Sequence, residues 1–277
     1  MKAVITCAGK GTRMLPFSKE LPKEMAPIFT LNNNEVEVKP LIQQIFENLF
    51  KDGVNDFCFV TGKTKRSIED HFSPNLSDDG ISSKLDEFYN MLKKSRVMWV
   101  NQLEPKGFGD AVSVCRPYVN EDNFILHAGD VTILPKNASP ISKLASFSDK
   151  SDVEAVILLK TVEEPERHGI ATVKSNSDRI TEVVKVVEKP DHPESKLGIM
   201  PIYFFRSSIF TALEKTTPGK NNEIQLTDAI QNLINMNKKV LALRVDDQII
   251  LDVGTPESFW QALNQSYNLL PYSKKLV

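Results

Sequence analysis

Lys2-Ala-Val-Ile-Thr-Cys7 runs into Ala8-Gly9-Lys10-Gly11-Thr12-Arg13, and then into Met14-Leu15-Pro16-Phe17-Ser18-Lys19-Glu20-Leu21-Pro22-Lys23-Glu24-Met25. The first six residues read as a short apolar strand. A buried strand that ends in Gly-x-Gly presents bare backbone N–H groups at its carboxyl edge, and such a nest suits a polyphosphate. The spacing departs from two familiar phosphate loops. The dinucleotide fingerprint wants a third glycine where Met14 stands and a helix at once, which Pro16 makes awkward. A Walker loop wants Gly-Lys-Ser/Thr after a longer gap, where this chain has Arg13. A guanidinium on Arg13 and an ammonium on Lys23 suit a triphosphate undergoing transfer better than one merely held.

Outward from this loop, Pro40 to Phe50 has helical apolar spacing and stops at Gly53, and Asp56 to Thr61 reads as a buried strand. Strand, helix, strand begins a parallel, doubly wound sheet. Thr30 to Lys39 reads as a small hairpin turning at asparagines. Gly62-Lys63-Thr64 imitates a P-loop, but Phe57 occupies the required glycine position, so it reads as a helix-entry turn before Ser67–His71. Ser77 to Lys94 spaces Leu85, Phe88 and Leu92 as an outer helix. Arg96 to Val100 is the next strand.

Asn123-Phe-Ile-Leu-His-Ala-Gly-Asp-Val131 is an apolar strand that ends in a lone carboxylate. In an open parallel sheet ligands sit at the carboxyl ends of strands, so Asp130 faces the crevice of the Gly9–Arg13 loop, with Gly129 beside it. A carboxylate beside polyphosphate needs an intervening cation, which makes Asp130 a candidate magnesium ligand. His127 reads as an ordinary core or edge residue. Asp152–Lys160, Glu166–Lys174 and Asp178–Glu188 alternate as strands, the last two antiparallel. Lys196–Phe205 is a strand whose Pro201 predicts an edge or a bulge. Asn222 to Asn235 is a helix with an acidic start. Lys239–Val245 and Ile249–Asp252 close the sheet, with Asp252 at a second strand end, and Glu257–Leu269 is the last helix.

Gly9-x-Gly11-Thr12-Arg13-x-x-Pro16 with Pro22-Lys23-Glu24-Met25 resembles the signature of the sugar-1-phosphate nucleotidyltransferase family, in the form carried by its bacterial and archaeal uridylyltransferases. Gln102-Leu-Glu-Pro-Lys-Gly107-Phe-Gly109 resembles that family's base-recognition loop. A carboxamide at Gln102 can donate and accept against the O4 and N3–H edge of uracil, and Gly107 allows close backbone approach. Val187-Glu188-Lys189-Pro190 resembles the sugar-phosphate site, with Lys189 for the phosphate and Glu188 for hydroxyls. Gly169 matches a turn against the sugar, although His168 replaces the more usual aromatic. Glu223-Ile-Gln-Leu-Thr-Asp228 and Asp252-Val-Gly-Thr-Pro256 also match, and Glu223 could meet the sugar.

The resemblance implies a Rossmann-like, doubly wound, mostly parallel mixed sheet with a small antiparallel sugar-binding portion. It implies one domain over 1–277, with 1–135 for the nucleotide and 136–277 for the sugar phosphate. The substrates it implies are UTP and glucose 1-phosphate with Mg2+, in a homo-oligomer, dimer or tetramer. Nucleotide contacts would come from Ala8, Gly9, Gly11, Thr12, Gln102, Gly107 and Gly129, and sugar-phosphate contacts from Gly169, Glu188, Lys189 and Glu223. Arg13, Lys23, Asp130, Lys189 and Asp252 would carry catalysis, with Asp130 and Asp252 on the metal. A same-fold transferase using dTTP or another hexose 1-phosphate stays open, as does a non-catalytic sugar-nucleotide-binding subunit.

Composition bounds the rest. The 277 residues are 41% hydrophobic and 25% charged, ordinary for a globular chain. A net charge of −2 from 34 Lys+Arg against 36 Asp+Glu advertises neither nucleic acid nor an anionic membrane. Cys7, Cys58 and Cys115 have no zinc or disulfide spacing. The opening apolar run is too short for a signal peptide. No run approaches the ~20 apolar residues of a membrane span. The expected location is cytoplasmic.

Overall fold

The computed structural model describes residues 1–32, 35–73, 85–134 and 139–271. The strands are β1 (Lys2–Thr6), β2 (Pro27–Asn32), β3 (Glu35–Pro40), β4 (Asp56–Thr61), β5 (Arg96–Asn101), β6 (Phe124–Ala128), β7 (Val131–Leu134), β8 (Ala155–Thr161), β9 (Gly169–Val173), β10 (Ile180–Glu188), β11 (Leu197–Phe205), β12 (Val240–Arg244) and β13 (Ile249–Asp252). The helices are α1 (Leu41–Lys51), α2 (Arg66–His71), α3 (Asp86–Lys93), α4 (Phe108–Ser113), α5 (Arg116–Val119), α6 (Pro140–Ala145), α7 (Ser208–Glu214), α8 (Leu226–Asn235) and α9 (Pro256–Asn268).

Nine strands form one mixed sheet in the order β5-β4-β1-β6-β11-β8-β12-β10-β9. β1 lies parallel to both β4 and β6, while β11 runs antiparallel between β6 and β8. β1, β4 and β6 are buried almost continuously because apolar layers cover both faces. One layer centres on Phe46, Phe57, Phe59, Phe72 and Phe88, and the other on Val4, Cys58, Val112, Leu126 and Ile230. All three cysteines are buried and free. Among the described residues no helix is long and apolar enough to cross a membrane.

Several boundaries differ from the sequence reading. The strand expected over 123–131 stops at Ala128; Gly129 and Asp130 turn the chain into β7. β13 does not close the main sheet but pairs antiparallel with β7 in a separate ribbon, with Asp252 opposite Val131. β11 is interior, so of the two meanings of Pro201 only the bulge applies: its register against β8 shifts between Met200 and Tyr203. The helix expected from Asn222 begins at Leu226, because Asn221 and Asn222 adopt left-handed φ of 62° and 58° that a helix cannot continue. The hairpin of β2 and β3 forms as expected, with its turn outside the described residues. Of the helix expected over 77–94, Asp86–Lys93 is helical, and 77–84 lies outside the described residues.

Candidate active site

The loop after β1 leaves the sheet at Cys7, whose amide donates to the Val60 carbonyl at 2.7 Å. Gly9 then stands clear of the protein, with no atom within 4 Å of where a Cβ would be. Gly11 is left-handed (φ 66°), and its carbonyl accepts from the Met14 amide (2.9 Å) and the Ser18 hydroxyl (2.6 Å). No long helix follows. Instead, short 3-10 turns at Thr12–Met14, Phe17–Lys19 and Lys23–Met25 carry the chain across the crevice. Thr12 and Arg13 are exposed on the first of them, and Ala8 is buried behind.

Lys23 donates its ammonium to Asp130 in a partly buried ion pair. Gly129 makes this possible by packing against β1. Its amide donates to the Thr6 carbonyl at 2.9 Å, and a Cβ there would stand 2.7 Å from Cys7 Sγ. Gly129 is therefore a packing glycine at the foot of the site. The Val253 amide donates to the Asp130 carbonyl at 3.0 Å, which brings Asp252 alongside. Asp252 accepts from the Gly254 amide and from Ser258 Oγ. A Cβ on Gly254 would lie 2.8 Å from Asp252 Oδ1 and 3.3 Å from Arg13 Nη2, so Arg13 reaches the same corner.

Burial pushes the Asp130 carboxyl up, but Lys23, with help from Arg13, outweighs it and holds the group below the usual carboxylate range. The walls of the crevice desolvate Asp252 even though its surface is open to solvent. That and the negative charge of Asp130 hold it above the ordinary value. Burial lowers Lys23, yet Asp130 and Glu24 raise it on balance, so it stays an ammonium. Among the described residues no group of three or more His, Cys, Asp or Glu side chains could enclose a metal ion by itself. Two carboxylates set together at the end of the β7–β13 ribbon fit a cation that completes its shell with phosphate oxygens and water, as Mg2+ does.

On the other side of the crevice, Glu188 ends β10 opposite Gly169. Glu188 Oε1 lies 3.1 Å from Lys189 Nζ, and its Oε2 accepts from Thr227 Oγ1 at 2.7 Å. Gly169 admits this pair, since a Cβ would stand 2.8 Å from Thr227 Oγ1. Lys189 has φ 43°, and its amide donates to the His168 carbonyl at 3.0 Å. Burial lowers His168, while Asp252 and Glu188 both act to raise it.

Two expected contacts sit differently. Gln102 is buried, and its carboxamide NH2 donates to Asp110 at 2.6 Å, so its donor end is occupied. Gly107 (φ 121°) approaches protein: its Cβ would meet the Ile224 carbonyl oxygen at 2.6 Å. The Ile224 amide donates to the Lys106 carbonyl and the Gly109 amide to the Ile224 carbonyl, both at 2.8 Å, which stitches the 102–109 loop to the segment before α8. Glu223 lies outside α8, in extended conformation, and accepts from Gln225 Nε2 at 3.2 Å. Sequence reasoning gave no part to Thr227, Glu24 or Lys65. Their signal was present in the motifs Gln-Leu-Thr-Asp, Pro-Lys-Glu-Met and Gly-Lys-Thr-Lys, but their partners are distant in the chain.

The chain joins a mixed α/β sheet, a glycine loop after β1 and two acids, Asp130 and Asp252, set together by the β7–β13 ribbon, and it belongs to the nucleotidyl transferase family, whose profile matches residues 2–268. It is 37% identical over 242 residues to the UTP–glucose-1-phosphate uridylyltransferase of Bacillus subtilis, covering 84% of this chain and 80% of that protein. The enzyme of the same name from Streptococcus pneumoniae is 37% identical over 254 residues, with 87% and 82% covered. A solved structure of UDP-glucose pyrophosphorylase complexed with UDP-glucose superposes with a TM-score of 0.84 at 29% identity, covering 96% of this chain and 98% of that one.

Proposed function

We propose that this chain transfers a uridylyl group, making UDP-glucose and pyrophosphate from UTP and glucose 1-phosphate. The convergence of Arg13, Lys23, Asp130 and Asp252 on one corner, in a chain whose relatives carry that activity, supports the reading most directly. The Rossmann-like part, 1–135, binds the nucleotide, and 136–277 binds the sugar phosphate. The triphosphate lies over Gly9, Gly11 and Thr12. Gln102 offers its Oε1 to the uracil N3–H, because Asp110 holds its NH2. Lys189 takes the phosphate of glucose 1-phosphate and Glu188, oriented by Thr227, takes its hydroxyls.

A phosphate oxygen of glucose 1-phosphate forms the new bond to the α-phosphorus of UTP, and the bond to the bridging oxygen of pyrophosphate breaks in line. The attacking oxygen is already an anion at neutral pH, so no general base is needed. Arg13 and Lys23 neutralise charge on the departing pyrophosphate, so catalysis is positioning and electrostatics. Asp130 and Asp252 would hold Mg2+, which would supply positive charge to the reacting phosphates. The protein works in the cytoplasm as a homo-oligomer, dimer or tetramer.

The test is pyrophosphate release across nucleoside triphosphates and hexose 1-phosphates with magnesium. UTP with glucose 1-phosphate should give the highest kcat/KM. Faster turnover with dTTP would move the assignment to thymidylyl transfer, and binding without turnover would leave only a sugar-nucleotide-binding protein.

A further inference from the structure

Beneath the Lys23–Asp130 pair lies a second ion pair that the mechanism above leaves unused. Lys65 Nζ stands 2.8 Å from Glu24 Oε2, and the two residues are 4% and 1% exposed. A buried ion pair seldom holds a fold better than apolar side chains of the same volume would. Its use must therefore be sought in what it touches.

Glu24 is the middle residue of the Lys23–Met25 turn, so Lys23 and Glu24 leave the same short turn toward different partners. Lys23 goes to Asp130, and Glu24 goes to Lys65, the residue that opens α2. Glu24 Cγ also lies 3.2 Å from where a Cβ on Gly129 would be, directly under the Gly129–Asp130 turn. Lys65 in turn is tied through its amide to the Gly62 carbonyl at 3.2 Å, and Gly62 packs on Ala8 at the start of the glycine loop. The buried pair and the backbone of Gly62 thus link the three segments that carry Gly9, Lys23 and Asp130.

We infer that Lys65, acting through Glu24, is a positioning residue for Lys23. The pair pins the backbone of the 23–25 turn while the Lys23 side chain passes from Asp130 to the triphosphate. The inference rests on the uridylyl-transfer reading. There the Lys23 ammonium passes from Asp130 Oδ2 to the triphosphate, and a pinned backbone restricts the change to one side chain. Lys65 also keeps Glu24 occupied; otherwise Glu24 would be the nearest competing anion for the Lys23 ammonium.

The test compares wild type with Lys65→Arg, Lys65→Met and the double variant Glu24→Gln plus Lys65→Met, which leaves no buried charge unpaired. Turnover, both KM values, Tm and the Kd for UTP by calorimetry are measured on each. The double variant should melt with wild type yet lose between about tenfold and a hundredfold in kcat, the range expected of an ångström-scale misplacement. Its UTP affinity should fall about tenfold, with KM for glucose 1-phosphate unchanged, and Lys65→Arg should keep most activity. Recovery of wild-type kcat and UTP affinity in the double variant would show a merely structural pair and overturn the inference. If wild type binds UTP but makes no UDP-glucose, the functional reading fails separately, and equal or unequal UTP affinities in the two proteins still decide the role of Lys65.

Discussion

The amide of Val253 donates to the carbonyl of Asp130 at 3.0 Å, and through this contact an acid from the last third of the chain is set beside one from its middle. The contact extends the β7–β13 ribbon by one step past the Val131–Asp252 pair. Asp130 and Asp252 therefore occupy adjacent positions at the end of a two-stranded ribbon, and Arg13 reaches the Asp252–Gly254 corner from the glycine loop.

Arg13 and Gly254 can be tested together. Arg13→Ala should lower kcat on the order of 10²–10³, the usual effect of losing one charged donor to a transition state. Gly254→Ala should act in the same direction, because its Cβ would intrude 2.8 Å from Asp252 Oδ1 and 3.3 Å from Arg13 Nη2. Steady-state rates with UTP in excess check both; near-normal turnover of Arg13→Ala would remove that residue from the mechanism.

Lys189 should behave differently. Among the described residues its ammonium is paired with Glu188 alone, at 3.1 Å and in a half-exposed position. Truncation to alanine should leave the nucleotide side intact. We expect KM for glucose 1-phosphate to rise about tenfold or more with KM for UTP unchanged, measured by varying each substrate separately.

Gly107→Ala should weaken the fold rather than the base contact. Its φ of 121° is strained for any residue with a Cβ, and that Cβ would meet the Ile224 carbonyl at 2.6 Å. A loss of about 1–3 kcal/mol in urea unfolding is expected. Accelerated amide exchange at Gly109 and Ile224 should accompany it, reporting the opened loop.

The motifs that carry the site were legible because each is local: a glycine turn after a buried strand, a lysine turn, a lone acid after an apolar run. What the sequence hid was pairing. Val131 extends the apolar run of β6, so the Gly129–Asp130 turn signal was read as a strand end, and nothing marked the departure of β7 and β13 into their own ribbon. Asn222 reads as the first residue of the helix, but it and Asn221 are left-handed, and the helix starts after Gln225. Gln102 reads as a free base reader until Asp110, eight residues on, is seen to hold its NH2. Lys65 and Glu24 are separated by 41 residues and lie in different motifs, one of which looked only like a failed P-loop.

Stability should fall in acid partly through His127. Burial pushes its imidazole down to about 4, although the Ala128 carbonyl, which accepts its Nδ1–H, acts the other way. The unfolded residue titrates near 6.5, so between those values the unfolded chain binds the extra proton. This contribution is complete above about pH 6.5 and is lost as pH falls toward 4, on the order of 3 kcal/mol in all. Urea midpoints at pH 7 and pH 5 should differ less in His127→Gln than in wild type. Equal differences would mean that His127 is not the group that titrates.

The most direct measurement is divalent-ion binding at the paired acids, using Mn2+ as a paramagnetic stand-in for Mg2+ in the presence of UTP. Wild type should hold one tightly bound ion per chain, and both Asp130→Asn and Asp252→Asn should weaken it by at least about tenfold while remaining folded. Unchanged Mn2+ affinity in the Asp252→Asn protein would contradict a shared site and with it the proposed arrangement for transfer.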